Sequence, residues 1–321
     1  MHKTASGTIE YPEAIFMEIV KTDVPMTSEL NGQTIAALVA RYPVLRTEQL
    51  GETAFGRPLL TLVAGNGPRK VLYTAAHHAN EWITTPVILK FMEEFAAAIE
   101  SGGEIFGVSA RELAAAVTIY TVPMVDPDGV DLVTGAIPPG SVQYELARSL
   151  ADNYPAIPFP NGWKANLLGV DLNLNYPAGW LQAREIKFSQ GFTRPGPRDY
   201  VGRAPLNQTE TRLLAGYTEF VDPDLVLAYH SQGKEIYWQF RDIQVPGAEE
   251  LGRRLAEVSG YRLAEVPFES AFAGYKDWFI QEFRKPGYTV EVGTGTNPLS
   301  LEQFDEIYRD NLGILVTAAL G

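Results

Sequence analysis

Cysteine is absent from this chain. That absence removes disulfides, thiolate metal sites and cysteine nucleophiles together. Histidine is scarce as well, with four in 321 residues: His2, His77, His78 and His230. Any metal must therefore be held by these few imidazoles and by carboxylates. Positive charge is in deficit. Lys and Arg number 26 against 39 Asp and Glu, a net charge of −13, which argues against nucleic acid or an anionic membrane as the main partner. No apolar run approaches the length that spans a bilayer. The opening residues Met1-His2-Lys3-Thr4-Ala5-Ser6-Gly7 lack the apolar stretch of a secretion signal, so the expectation is a cytoplasmic protein. Nothing in the sequence specifies an oligomeric state.

What is present alternates between apolar runs and helical stripes. Ile35-Ala36-Ala37-Leu38-Val39-Ala40 predicts an early helix ended by Tyr42-Pro43, because a residue before proline avoids helical backbone. Leu59 to Ala64 and Val71 to Ala76 predict strands, with Gly65-Asn66-Gly67-Pro68 as the turn between them. Val87, Ile88, Phe91, Met92, Phe95 and Ile99 form a helical stripe, with Lys90, Glu93 and Glu94 expected on the other side. Val117 to Val122 predicts a buried strand, followed by a Pro-Asp-Gly turn in which Asp128 reads as a turn former. Residues 135–205 are rich in Gly, Pro, Asn and aromatics and predict a set of functional loops. Asn207-Gln208-Thr209-Glu210 caps a helix to Phe220, and Asp224 to Tyr229 is a strand. Helices follow near 248–259 and from Gly274, then a last strand from Gly287 to Gly293 and a final helix capped by Ser300-Leu301-Glu302-Gln303. Without repeats or a break in composition, the expected class is α/β, a single domain with a mixed, mostly parallel twisted sheet and helices on both faces.

The densest chemistry falls at Ala75-Ala76-His77-His78-Ala79-Asn80-Glu81-Trp82, between a strand and the helix that Thr84-Thr85-Pro86 opens. Strand ends of this kind are where open α/β sheets keep their ligands. His78 and Glu81 can turn toward one point and offer zinc an imidazole nitrogen and a carboxylate oxygen. Taken alone, the pair also fits a hydrogen-bonded histidine and a glutamate favoured by a helix N-terminus. His230 ends the 224–229 strand and is the remaining strand-end histidine for a third ligand. Two imidazoles and a carboxylate leave one position for water on a single zinc ion per chain. Glu291 interrupts Tyr288-Thr289-Val290-Glu291-Val292, where a carboxylate is costly unless paired or used. Either a buried Arg or Lys neutralises it, or it serves as general base beside that water. His77 is a hydrogen-bonded structural residue or a pocket residue, with the first expected. Arg198, Arg203 and Arg241 lie on loops, and nothing in the sequence ranks them as substrate contacts.

In this order, His78-x-x-Glu81-Trp82, an Asn-rich loop, His230-Ser231-Gln232 and Glu291 resemble the zinc metallocarboxypeptidases of the carboxypeptidase A family, from about Tyr42 to the final helix. Pro127-Asp128-Gly129 and Gly169-Val170-Asp171-Leu172-Asn173-Leu174-Asn175-Tyr176 resemble two further landmarks of that family. The resemblance implies one catalytic domain over residues 1–321, with 1–30 as an N-terminal extension. It implies zinc on His78, Glu81 and His230, and Glu291 as general base.

Departures from the family pattern narrow the substrate. The family's exopeptidases hold a terminal carboxylate with an Asn-Arg pair, whereas Asn173 is followed here by Leu174, which cannot replace a guanidinium. Lys164 stands where an arginine usually polarises the cut carbonyl, and a lysine can do so as a point charge. The family's mobile tyrosine falls near Glu269. Lys276 falls at the base of the selectivity pocket and implies an acidic group on the residue after the cut bond; otherwise it is a solvated lysine at a helix start. Trp163-Lys164-Ala165-Asn166, Gly274 to Ile280, and Glu291 to Leu299 resemble the bacterial γ-D-glutamyl-L-diamino acid endopeptidases. The expected function is zinc-dependent hydrolysis of the γ-D-glutamyl–meso-diaminopimelate amide in peptidoglycan stem peptides. Glu291 and Lys164 would be catalytic, with Asn173 and Lys276 on substrate carboxylates. The second reading is an ordinary carboxypeptidase releasing C-terminal acidic residues. The third is a wall-peptide binding protein that has lost catalysis.

Overall fold

The computed structural model describes residues 18–321. Residues 1–17, His2 and most of the expected N-terminal extension included, lie outside the described residues.

In chain order the strands are β1 (Leu45–Arg46), β2 (Gln49–Glu52), β3 (Pro58–Leu60), β4 (Leu62–Gly65), β5 (Arg69–Thr74), β6 (Glu104–Ile105), β7 (Val108–Ser109), β8 (Val117–Val122), β9 (Leu225–Ser231), β10 (Glu235–Tyr237), β11 (Arg262–Ala264) and β12 (Gly287–Val292). The helices are α1 (Ser28–Arg41), α2 (Thr84–Ser101), α3 (Ala110–Ala116), α4 (Pro127–Val133), α5 (Val142–Ala151), α6 (Trp180–Ser189), α7 (Thr209–Val221), α8 (Ala248–Ser259), α9 (Tyr275–Phe283) and α10 (Phe304–Leu320). One eight-stranded sheet has the order β1-β4-β8-β5-β9-β12-β10-β11. Its centre, β8-β5-β9-β12, is parallel; antiparallel pairings β4–β8 and β1–β4 carry it to one edge, and on the other side β10 joins β12 antiparallel and β11 joins β10 parallel. The mixed, mostly parallel sheet expected from the alternation of elements is therefore present.

Strands buried on both faces read as near-continuous apolar runs, and every residue of β9 is buried. Val71 and Tyr73 of β5 pack into one core with α1, α2, α8 and α10, while Leu72 packs into the other with α6, α7 and α9. The apolar stripe of α2 forms as its spacing predicts, and Gly102 ends the helix in left-handed backbone at φ 71°. The last helix is fastened to the strand that leads into the site. Tyr73 donates its hydroxyl to the Leu315 carbonyl at 2.8 Å, and Arg69 Nε donates to that of Ala319 at 3.0 Å.

Several local expectations are corrected. Helix α1 begins at Ser28, well before Ile35, because the Thr27 side chain caps the Leu30 amide. Glu93 is not solvated; it is buried, and its carboxylate accepts from the amides of Ile19 (2.7 Å) and Val20 (3.2 Å). The 59–64 run is broken at Thr61 into β3 and β4, since the Thr61 carbonyl and hydroxyl bond instead to residues 47 and 48. Residues 135–205 contain two helices, α5 and α6, within the expected loops. Among the described residues no helix is long and apolar enough to cross a membrane.

Phe91 of α2 is fully buried, stacks on Phe95 at 5.8 Å and meets Tyr73 at 6.4 Å. Phe91→Ala is expected to cost about 3–5 kcal/mol of stability, read as a lower urea midpoint at unchanged slope. An unchanged midpoint would contradict this packing.

Candidate metal centre and active site

The parallel centre of the sheet brings three strand ends to one place. Beyond β5, Ala76 turns into left-handed backbone (φ 48°), and the hydroxyl of Thr84 accepts from the Ala76 amide and donates to the Glu81 carbonyl. This folds the link back on itself. A single 3-10 turn over Ala79–Glu81 then carries Glu81 beneath His78. His230 lies near the end of β9, and Glu291 is its registered neighbour on β12.

His78, Glu81 and His230 converge, with one ligand atom from each inside a span of 4.8 Å. His78 Nδ1 lies 2.9 Å from Glu81 Oε1, His230 Nδ1 lies 3.0 Å from Glu81 Oε2, and the two Nδ1 atoms are 3.0 Å apart. All three side chains are buried. The Ser231 amide also donates to Glu81, as does the Asn297 side chain at 3.5 Å. Burial alone would raise the Glu81 carboxyl, but His78 and His230 hold it well below the usual range. Burial lowers His230. A neutral imidazole and an ionised carboxylate are the states a divalent ion requires of its ligands.

Asp171 supports this centre from outside. Its Oδ1 is 3.2 Å from His78 Nε2, the ring nitrogen turned away from the other ligands. A carboxylate on the outer nitrogen of a ligating histidine fixes tautomer and ring orientation. The converging Nδ1 atoms, the paired carboxylate and this support together fit a zinc ion with an open position.

Around the centre, charges alternate in sign. Lys164 faces Asp171 and Glu81, which raise its pKa against the effect of burial. Lys187 pairs with Asp199 at 2.8 Å, and Asp199 pairs with Arg198 at 2.6 Å. Burial and the charge of Glu81 push the Glu291 carboxyl up to about 8. Lys164 and His78 oppose that rise, but neither forms an ion pair with Glu291 among the described residues.

Two pockets meet at Lys164, Tyr237 and Glu291. The first is lined by Asn173, Leu174, Lys187 and Lys276 as well as His78 and Asp171. Asn173 accepts from the Tyr275 amide at 2.9 Å and so caps α9. Lys276 is buried, not solvated, and donates to Asp277 at 2.6 Å and to the Gln239 carbonyl. The second pocket is lined by Asn80, Asn161, Arg198, Gln232 and Asn297 among others. Arg198 thus lies at the cleft, while Arg203 and Arg241 do not line it. Glu269 is exposed on the short turn Phe268–Ser270. His77 is fully buried, stacked on His230 at 5.5 Å and 3.4 Å from the Tyr176 hydroxyl, and burial holds it well below its ordinary pKa. Asp128 bonds to Arg57 at 2.6 Å in the first turn of α4.

Sequence reasoning missed Lys187, Asp199 and Tyr237. Lys187 lies on a helix inside a stretch read as loops, and Asp199 adopts a left-handed φ of 64° that no local pattern announces.

Comparison with known proteins agrees with this geometry. A family model described as zinc carboxypeptidase matches residues 32–312. The chain is 42% identical to gamma-D-glutamyl-L-diamino acid endopeptidase 1 of Lysinibacillus sphaericus over 284 residues, covering 88% of this chain and 69% of that protein. It is 37% identical to the uncharacterized protein YqgT of Bacillus subtilis (strain 168), covering 88% of this chain and 73% of that one. The carboxypeptidase A of Helicoverpa armigera shares the fold, with a TM-score of 0.70 at 18% identity over 94% of this chain and 75% of that one.

Asp171→Asn is expected to weaken zinc binding about 10–100-fold, measured by competition with a chelator. Unchanged affinity would remove Asp171 from the support of His78.

Proposed function

The chain belongs to the zinc carboxypeptidase family, and we propose that this zinc metallopeptidase cuts the amide between γ-D-glutamate and meso-diaminopimelate in peptidoglycan stem peptides. The observation that carries this reading is the floor of the first pocket. A buried lysine, Lys276, lines it and suits an acidic side chain after the cut bond, and Leu174, also on its lining, offers no guanidinium to a terminal carboxylate. The 42% identity to an enzyme named for γ-D-glutamyl-L-diamino acid cleavage supports it. An ordinary carboxypeptidase would have to hold its terminal carboxylate without that clamp.

In this mechanism His78, Glu81 and His230 hold the zinc. When bound, the ion acts as a Lewis acid toward the amide carbonyl and makes water a better nucleophile. Glu291 borders both pockets and makes no ion pair among the described residues. It takes the proton of the attacking water and passes it to the departing amine. Lys164, also common to both pockets, sets its ammonium beside the carbonyl oxygen as negative charge grows there. Asn173 has its carbonyl oxygen tied to α9, which leaves its amide N–H groups for a substrate carboxylate. Lys276 uses two donors on Asp277 and Gln239 and retains a third for the far carboxylate of diaminopimelate. The partner is thus a cell-wall peptide.

Glu291→Gln is expected to keep zinc and lose turnover by about 10²–10⁴-fold. Normal turnover would remove Glu291 from the reaction. His230→Ala should lose zinc, and metal analysis showing full occupancy would refute that ligand. Substrate class is tested by mass spectrometry of two digests, one of a γ-D-Glu-diaminopimelate peptide and one of an α-linked peptide ending in Glu. Cleavage of the first alone is expected; release of C-terminal Glu from the second would favour the carboxypeptidase.

A further inference from the structure

The second pocket offers two cations, Lys164 and Arg198, and the mechanism above uses only the lysine. Arg198 is held in place from several directions. Its Nε donates to Asp199 at 2.6 Å. Asp199 is fixed in turn by Lys187 at 2.8 Å and by its own amide, which donates to Asp171 at 3.3 Å. On the other side of Arg198, the Pro197 carbonyl accepts from the amides of Lys164 (2.7 Å) and Ala165 (2.9 Å). The guanidinium is therefore tied to the carboxylate that supports His78 and to the segment that carries Lys164. Among the described residues no partner reaches its terminal Nη1 and Nη2 nitrogens, and its side chain is 44% exposed. A guanidinium held by Nε with its two terminal nitrogens open is arranged to grip a carboxylate from its end.

We infer that Arg198 binds the free α-carboxylate of the D-glutamyl residue on the upstream side of the cut bond. The inference rests on the proposed substrate. In a γ-linked glutamyl residue the side-chain carboxyl makes the amide that is cut. The α-carboxylate is then left over, a short carbon chain away from the reacting carbonyl and on its upstream side. An α-linked residue presents an acid at that distance only when it is itself glutamate, through its side chain. The second pocket shares Lys164 and Glu291 with the first, and Lys276 lines only the first, so the second is where the upstream residue belongs. Arg198 then distinguishes a γ-linked glutamyl residue from an α-linked residue without an acidic side chain, while Lys276 reads the diamino acid, and the two cations grip the substrate on either side of the cut.

The test uses the zinc-loaded enzyme and two peptides, L-Ala-γ-D-Glu-meso-diaminopimelate and the same peptide with the glutamyl α-carboxyl converted to an amide. Wild type is expected to favour the free acid by about 10–100-fold in kcat/KM. Arg198→Gln should lower the free-acid value to that of the amide and leave the amide value unchanged, with zinc content and melting temperature retained. Arg198→Lys should recover part of the preference, because it restores the charge without the fork. An equal loss on both peptides, or a preference that survives Arg198→Gln, would overturn the assignment. If the wild type cuts neither γ-linked peptide but does cut an α-linked one, the proposed substrate is wrong and this role for Arg198 goes with it. That outcome is visible before any variant is made.

Discussion

The register between β9 and β12 is the constraint on which the site depends. Parallel pairing sets Glu291 opposite His230, and the neighbouring β5–β9 pairing sets Thr74 opposite Ala228, so three strands reach the same edge together. Side chains along a strand alternate between faces, so a slip of one residue would exchange the faces. Alternation is enforced here by two cores of equal demand: Tyr229 belongs to one and Ala228 to the other. Apolar packing on both sides of the sheet therefore fixes where an imidazole and a carboxylate meet, although neither contributes to that packing.

Electrostatics at the cleft runs against the character of the whole molecule. A chain of net charge −13 gathers Lys164, Lys187, Arg198 and Lys276 around one opening. Buried charge is tolerated only when it is compensated, and each of these cations has an aspartate beside it: Asp171, Asp199 or Asp277. The aspartates also neutralise part of the attraction that the cations would exert on Glu291. Burial and the charge of Glu81 outweigh Lys164 and His78 at Glu291, which makes no ion pair among the described residues.

The strands of the sheet centre were legible because burial on both faces writes itself as an apolar run, and α2 because its stripe repeats at helical spacing. His78, Glu81 and His230 were legible because a chain without cysteine and with four histidines offers few ways to hold a metal. Helices α5 and α6 were not, since each carries few buried side chains and stands in a stretch rich in Gly, Pro and Asn. Short strands at and next to the sheet edge, β11 and β10, depend on neighbours distant in sequence. The Lys187–Asp199–Arg198 chain was hidden for a related reason. Its order comes from a contact with Asp171 across the loops, and Lys187 by itself reads as one more helical lysine.

One feature of this topology bears on how the enzyme comes into being. The central strand β5 leaves the ribosome early, but its partner toward the site, β9, and the strand beyond that, β12, are encoded far downstream, and the helix bonded to Tyr73 comes later still. Long-range parallel pairing cannot form until those segments have emerged. A nascent chain thus carries His78 and Glu81 without His230 or Glu291, and has no means of cutting peptides. Hydrolytic competence arrives as one late event of synthesis, after most of the polypeptide has already been made.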